Sequence, residues 1–322
     1  MRNGTMKTMQ RMAFIGIEIG GTKVQLGAGG ADGALAARAR FAVVRAHGAA
    51  GIRAQILEGL QVVCAGRRIG AIGVGFGGPV NWRTGVITCS HHVKGWHGFD
   101  LRGWLQRASG VPVVVENDAN TAALAEACCG AGRGHDPVFY VTLGSGVGGG
   151  LVVGGALYHG APPGETEIGH VRLDRRGTIV EQRCSGWAMD RRIRALSRRH
   201  PGSVLARLTR GLHGGEARQL AAALRARDAM AQALLAAWAG ELALGLSHVV
   251  QLLHPAMIVL GGGLALVGAP LRAAVAQALP QFVMQALLPA PRIALAALGE
   301  DVVPVGALLL AAGAYADARR CS

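Results

Sequence analysis

The sequence predicts an α/β protein built from two related halves that face each other across a cleft. Three observations carry that expectation. Twice an apolar strand enters a turn of Gly with Thr or Ser and hairpins straight back, at residues 13–27 and again at 138–153. Strand-like runs alternate with helix-compatible ones, the pattern of sheets covered by helices. The 322 residues suit about two domains at ~150 residues each.

Residues 1–12, with Met6, Met9 and Met12 as alternative starts, read as a flexible tail. The run 13–19, Ala-Phe-Ile-Gly-Ile-Glu-Ile, is the first strand. It ends in Gly20-Gly21-Thr22-Lys23, and two further strands reach Val44. A helix over 51–65 leads to a strand over 69–76 that stops at Gly77-Gly78-Pro79. A helix near 101–109 precedes the strongest strand signal, 111–115, which stops at Glu116-Asn117-Asp118-Ala119-Asn120 before an Ala-rich helix. The second cycle starts with a strand over 138–143, a glycine turn over 144–150 and a resumed strand over 151–153. Residues 216–253 read as helical, with Met230, Leu234, Trp238, Leu242, Leu246, Val249, Val250 and Leu253 on one apolar stripe. His254-Pro255 ends it, a strand runs from Met257 into Gly261-Gly262-Gly263, and a strand near 292–298 and a helix over 305–318 close the chain.

Composition narrows the function classes. At 51% hydrophobic and 16% charged residues, the chain is too apolar for disorder. Its longest apolar runs, 259–267 and 307–314, carry glycines and fall short of the ~20 residues of a bilayer span. No signal-peptide core follows Arg2, Lys7 and Arg11, and six cysteines without a spaced framework read as reduced thiols, so a cytoplasmic protein is expected. The formal charge of +14 comes almost wholly from arginine. With aromatics at 4%, stacking on nucleic acid has little to work with. The dense cluster Arg191, Arg192, Arg194, Arg198 and Arg199 reads as a solvated helix face.

Chemistry is suggested at the strand ends. Glycine turns there let backbone N–H groups approach an anion with no Cβ in the way. Three occur, Gly20-Gly21-Thr22-Lys23, Gly144-Ser145-Gly146 and Gly261-Gly262-Gly263, and together they point to a nucleoside triphosphate. Neither a Rossmann fingerprint nor a P-loop stands in its proper context. Asp118 sits at a strand end and a helix mouth, where it reads either as a helix N-cap or as a ligand-facing carboxylate. The stretch 164–170, Gly-Glu-Thr-Glu-Ile-Gly-His, sets two carboxylates and an imidazole between glycines, in a solvated loop or a site.

These motifs resemble those of the ROK family of sugar kinases and regulators. The stretch 16–23 resembles its first phosphate motif, 116–123 its catalytic motif, and 142–150 its second phosphate motif. Residues 164–170 resemble its Gly-Glu-Ile-Gly-His signature, and 259–263 its adenosine motif. The resemblance runs in family order from 13 to about 318. It implies the two-domain actin, hexokinase and Hsp70 ATPase fold, with ribonuclease H-like halves. Residues 13–118 would form the N-terminal domain, with the C-terminal helix (about 304–322) packed back on it, and 119–303 the larger C-terminal domain. ATP and Mg²⁺ are the implied cofactors, and a homodimer is a common arrangement in the family.

Residue by residue, the resemblance makes Asp118 the general base that takes the proton of a sugar hydroxyl. Gly78, Asn117, Glu167, His170 and Glu181 would bind the hexose. Glu18, Gly20, Gly21, Thr22, Lys23, Gly144, Ser145, Gly146, Gly261, Gly262 and Gly263 would bind ATP and its phosphates. Three departures stand out. Glu18 replaces the family's Asp, and His92 replaces an Asn before the Gly95-Trp96 pair. The cysteine-rich zinc motif is missing, since 174–181 holds no cysteine and Cys184 lies beyond it, so no zinc is expected. The expected activity is ATP-dependent phosphorylation of a glucose-like hexose on its primary hydroxyl. The alternatives are a sugar-responsive regulator, which the short segment before the first strand disfavours, and a catalytically silent sugar-binding protein.

Overall fold

The computed structural model describes residues 12–90, 93–161, 164 and 166–320. Nearly all of the expected tail, and the His92 substitution, lie outside the described residues. Along the chain the elements are β1 (Ala13–Ile19), β2 (Lys23–Gly29), β3 (Leu35–Ala42), α1 (Gly48–Cys64), β4 (Ile69–Phe76), β5 (Val80–Asn81), β6 (Val86–Ile87), β7 (Phe99–Asp100), α2 (Leu101–Ser109), β8 (Val113–Asn117) and α3 (Asp118–Cys129). They continue as β9 (Val138–Leu143), β10 (Val147–Val153), β11 (Ala156–Leu157), α4 (Val180–Cys184), α5 (Gly186–Arg199), α6 (Val204–Leu208), α7 (Leu220–Arg225), α8 (Ala229–Leu253), β12 (Met257–Gly261), α9 (Ala269–Ala278), β13 (Arg292–Leu295) and α10 (Val302–Ala318).

Two compact units emerge, the first from the segments Met1–Gly130, Gly155–Glu165 and Leu298–Ser322, the second from Ala131–Gly154 and Thr166–Ala297. The first segment runs to Gly130 rather than to 118 because α3 packs against α10 and stays with it. In unit 1 the sheet order is β3-β2-β1-β4-β8. The β1–β2 and β2–β3 pairs are antiparallel, and β1–β4 and β4–β8 are parallel. Unit 2 repeats the central plan strand for strand, with β9 antiparallel to β10, β12 parallel to β9 and β13 parallel to β12. The duplication read from two glycine hairpins is therefore a duplication of topology.

Period-2 alternation sorts the residues of β1 between two layers. Ile15, Ile17 and Ile19 join Ile52 and Ile56 of α1 in one core cluster, while Phe14 faces Leu308, Ala311 and Ala312 of α10 in another. Between them, α10 comes into backbone contact with the sheet. A Cβ on Gly16 would collide with the Pro304 carbonyl oxygen, and one on Gly73 with that of Ala307. In unit 2 the predicted stripe is buried over most of its length, with Met230 half-buried and Leu253 exposed at its ends. Leu234, Trp238, Leu242, Leu246, Val249 and Val250 are buried on α8, and the Trp238 indole donates to the Cys184 carbonyl at 3.1 Å. Helix α8 and the segment Gly299–Ala318 are long and apolar enough to cross a membrane by length and composition, yet much of each is buried inside its own unit.

The helical reading of 216–253 needs a correction. A 3-10 turn (Glu216–Gln219), α7 and α8 are separate pieces. Arg227 takes φ 57°, and Asp228 then caps α8, accepting from Ala231 N at 3.0 Å while its other oxygen accepts from Leu205 N at 2.9 Å. A capping carboxylate at a helix start outcompetes continuation of the helix. In the arginine cluster on α5, Arg192 pairs with Glu241 and Arg194 with the fully buried Glu216 at 2.7 Å. Two of those five arginines are thus tied into the fold by ion pairs.

The contact at Gly73 gives a direct test. Gly73→Ala should lower unfolding stability by about 1–3 kcal/mol, because backbone facing backbone cannot swing aside as a side chain would. Urea denaturation of the variant measures it, and an unchanged midpoint would mean that α10 is not seated on β4.

Candidate active site

Parallel pairing decides which loops meet in unit 1. Ile19 lies beside Phe76, and Phe76 beside Asn117. The turn after β1, the Gly77-Gly78 pair after β4 and Asp118 after β8 therefore leave the sheet at one edge. The carboxyl ends of parallel strands are where α/β proteins bind ligands. The edge is tightly drawn, with Gly77 N donating to the Ile19 carbonyl at 2.9 Å and Gly20 N to that of Lys23 at 3.0 Å.

Asn117, not Asp118, is the cap of α3. Its Oδ1 accepts from Ala119 N at 2.8 Å and Asn120 N at 3.2 Å, and its Nδ2 donates to the Gly78 carbonyl at 3.2 Å. Asp118 begins the first turn, where the exposed N–H groups of a helix start favour negative charge. Its carboxylate reaches back toward β4, with Oδ2 only 3.3 Å from where a Gly77 Cβ would stand. Glycine at 77 leaves that carboxylate its room.

Glu18 closes the other side of the edge. Its Oε2 lies 3.1 Å from Lys23 Nζ, with the Glu18 side chain 13% exposed. The ion pair is off hydrogen-bond geometry, so Oε2 stays buried without a hydrogen-bond partner. Burial pushes the Glu18 carboxyl above its ordinary range, and the Lys23 charge only partly opposes it. Such a carboxylate is one that a second cation would stabilise.

Unit 2 gathers its own set at the ends of β9 and β12, where Gly261 pairs with Thr142. The Gly144–Gly146 turn leaves one strand, with Gly144 N on the Gly146 carbonyl at 3.0 Å. The run Gly261-Gly262-Gly263 leaves the other, with Gly262 at φ 79°, where a side chain would strike the Leu143 backbone. Ser145 is exposed between them in sequence. Glu181, in the first turn of α4, accepts from Val147 N at 2.9 Å, and a Cβ on Gly146 would collide with its carboxylate. Glu167 caps and His170 ends a 3-10 turn (Ile168–His170) that packs against β10 and α4, and both side chains are exposed. Glu167, His170 and Glu181 thus share the neighbourhood of Val147 in unit 2, while Gly78, Asn117 and Asp118 share one in unit 1.

One cluster escaped the sequence. Glu116 is 3% exposed. Its Oε1 accepts from Asn117 N at 2.8 Å and Asn120 Nδ2 at 3.0 Å, and its Oε2 meets His159 Nε2 at 2.6 Å. The His159 ring stacks on Trp82, centroids 4.1 Å apart at 16°. No spacing rule links residues 43 apart. Among the described residues no group of three His, Cys, Asp or Glu side chains is arranged to hold a metal ion. Burial, with the Glu241 charge adding, pushes the Cys184 thiol up to about 12.

A profile of the ROK family matches residues 14–314. The glucokinase of Thermotoga maritima is 27% identical over 307 residues, 93% of this chain and 97% of its own length. The glucokinase of Streptomyces coelicolor is 33% identical over 273 residues, 78% of this chain and 81% of its own. A ROK family glucokinase from Streptomyces griseus, solved with glucose and AMPPNP, has a TM-score of 0.81 at 29% identity, covering 93% of this chain and 99% of that one.

The buried Glu18 gives a prediction with opposite signs for stability and activity. Its folded-state pKa lies above the ordinary 4.5, so the stability it contributes is present below that value and is lost as pH rises through the raised one. Glu18→Gln should abolish that loss, leaving the variant at least as stable as the parent at neutral pH, while phosphoryl transfer falls. Melting temperatures across pH 4–8 beside an ADP-release assay read both. A variant that melts lower at pH 7 would show the Lys23 ion pair outweighing burial.

Proposed function

Because the chain belongs to the ROK family and its glucokinase relatives make it an ATP-dependent sugar kinase, we propose that its acceptor is a glucose-like hexose, phosphorylated on its primary hydroxyl with Asp118 as general base. The supporting observation is the division of labour at the head of α3: Asn117 caps the helix, and Asp118 stands beside Gly77 on the edge that carries the first glycine turn. Phosphoryl transfer needs positioning, neutralised charge and a carboxylate to accept the hydroxyl proton. In this reading Asp118 takes the proton as the hydroxyl oxygen attacks the γ-phosphorus, and ADP departs.

Remaining hydrogen-bond capacity suits a polyol. Asn117 keeps one amide hydrogen after the Gly78 contact, and Glu181 keeps Oε1 after the Val147 contact. In unit 2 the exposed Glu167 and His170 add acceptors and donors to that of Glu181, and a sugar lacking a hydroxyl that they bind leaves a group unpaired. The glycine turns Gly20–Lys23, Gly144–Gly146 and Gly261–Gly263 offer N–H groups to the phosphates, with Thr22, Lys23 and Ser145 adding side-chain donors. Mg²⁺ fits the donor set, because the Glu18 Oε2 is buried without a hydrogen-bond partner and this ion takes one or two carboxylates beside phosphate oxygens. When bound, it neutralises phosphate charge. A small-molecule acceptor also fits a cytoplasmic enzyme.

Asp118→Asn should cut kcat by about 10²–10⁴-fold with hexose affinity retained, since the amide keeps shape and hydrogen bonding but takes no proton. Coupled ADP release with glucose, mannose, fructose and N-acetylhexosamines, beside calorimetric binding, measures it. Near-parental kcat would end the assignment. His170→Ala should raise KM for the hexose well over tenfold and leave KM for ATP nearly unchanged, one lost bond to a buried hydroxyl being worth about 1–3 kcal/mol. Equal damage to both constants would make His170 a support of the fold.

A further inference from the structure

The Glu116 cluster has geometry beyond what capping α3 needs. A single carboxylate joins three parts of unit 1. Oε1 holds the Asn117 N–H and the Asn120 side chain, at the strand-to-helix junction that delivers Asp118. Oε2 is held by the His159 ring, to which the acceptor assigns an Nε2–H. His159 lies in the returning segment Gly155–Glu165, its ring 19% exposed and laid flat on Trp82. Trp82 is fixed in turn, its carbonyl accepting from Arg102 at 2.7 Å and its other flank lying near the Arg83 guanidinium, 5.1 Å from the ring centre.

The same aromatic pair receives the chain that leads to the signature loop. Gly164 has φ 83°, and a Cβ there would stand 2.7 Å from the His159 carbonyl oxygen and 3.0 Å from Trp82 Nε1. The Gly164 backbone therefore lies against His159 and Trp82. Trp82 Nε1 and Asn120 Oδ1 are buried without hydrogen-bond partners. A cluster that keeps such groups dry is held by its packing and by its few charged bonds, of which His159 to Glu116 is the shortest.

We propose that His159 is a positioning residue for the phosphoryl transfer: through Glu116 it fixes the Asn117 junction and so the Asp118 carboxylate, and the stack on Trp82 holds the His159 ring in place to do so. This rests on Asp118 being the general base. A carboxyl that must hold a backbone N–H in one place needs its second oxygen held too, or it rotates about χ3. His159 supplies that second hold from a segment remote in sequence. Small misplacements of a reacting group are enough to cost large factors in rate.

Two substitutions separate the ring from its N–H. His159→Phe keeps a ring for Trp82 and removes the donor; His159→Gln keeps a donor for Glu116 and removes the ring. His159→Phe should lower kcat by about tenfold to a hundredfold with KM for ATP unchanged, and His159→Gln should recover most of kcat. Adding His159→Phe to Glu116→Gln should cost little more than Glu116→Gln alone, since the two act in series. Amide hydrogen exchange at Asn117, which needs no turnover, should quicken about tenfold or more in His159→Phe and stay near parental in His159→Gln. Unchanged exchange, additive losses in the double variant, or a normal kcat with a lower melting temperature would each overturn the proposal. If the parent protein phosphorylates no hexose, the kinase reading fails instead, and the exchange measurement still decides whether His159 holds the junction.

Discussion

The parallel register of β1, β4 and β8 is the constraint on which the rest of unit 1 depends. Parallel pairing sends every strand out at the same end, so the Gly20–Lys23 turn, Gly77-Gly78 and Asp118 have no other edge to occupy. Slipping β8 by one residue would exchange the faces of Glu116 and Asn117. The buried carboxyl would face the ligand edge, and the capping amide would enter the layer below. Nothing at this edge is positioned by a loop alone.

Carboxyl groups are used at this edge in two different states of satisfaction. Glu116 is buried with a donor for each oxygen, as buried polar groups normally are. Glu18 is buried with one ion pair and an oxygen lacking a hydrogen bond. The first arrangement stabilises structure. The second is left only partly satisfied by the fold.

Much of this was legible in the sequence, and the reasons are local. The glycine turns, the alternating strands and the apolar stripe of α8 are written in consecutive residues, and the structure has them all. The division of roles between Asn117 and Asp118 was not legible. Both residue types cap helices, and only the position of the last β8 residue selects Asn117. The break before α8 was hidden for a related reason: the apolar period runs on, while Asp228 accepts from Leu205 N at the start of α6. The Glu116–His159 contact has no sequence signal at all, because a histidine after a hairpin reads as surface until the chain is seen to return to unit 1.

The seating of α10 has a consequence for biosynthesis. Strand β1 presents Gly16 to helix α10, which is translated only after the whole of unit 2. Until Val302–Ala318 emerges, one face of the leading sheet, with Phe14 and Ala71 on it, has no permanent cover. The nascent protein thus carries an open apolar face while the whole of unit 2 is synthesised, a state in which aggregation competes with folding. Chaperone demand should therefore fall on the first half of this chain, although the second half holds the larger share of its helices.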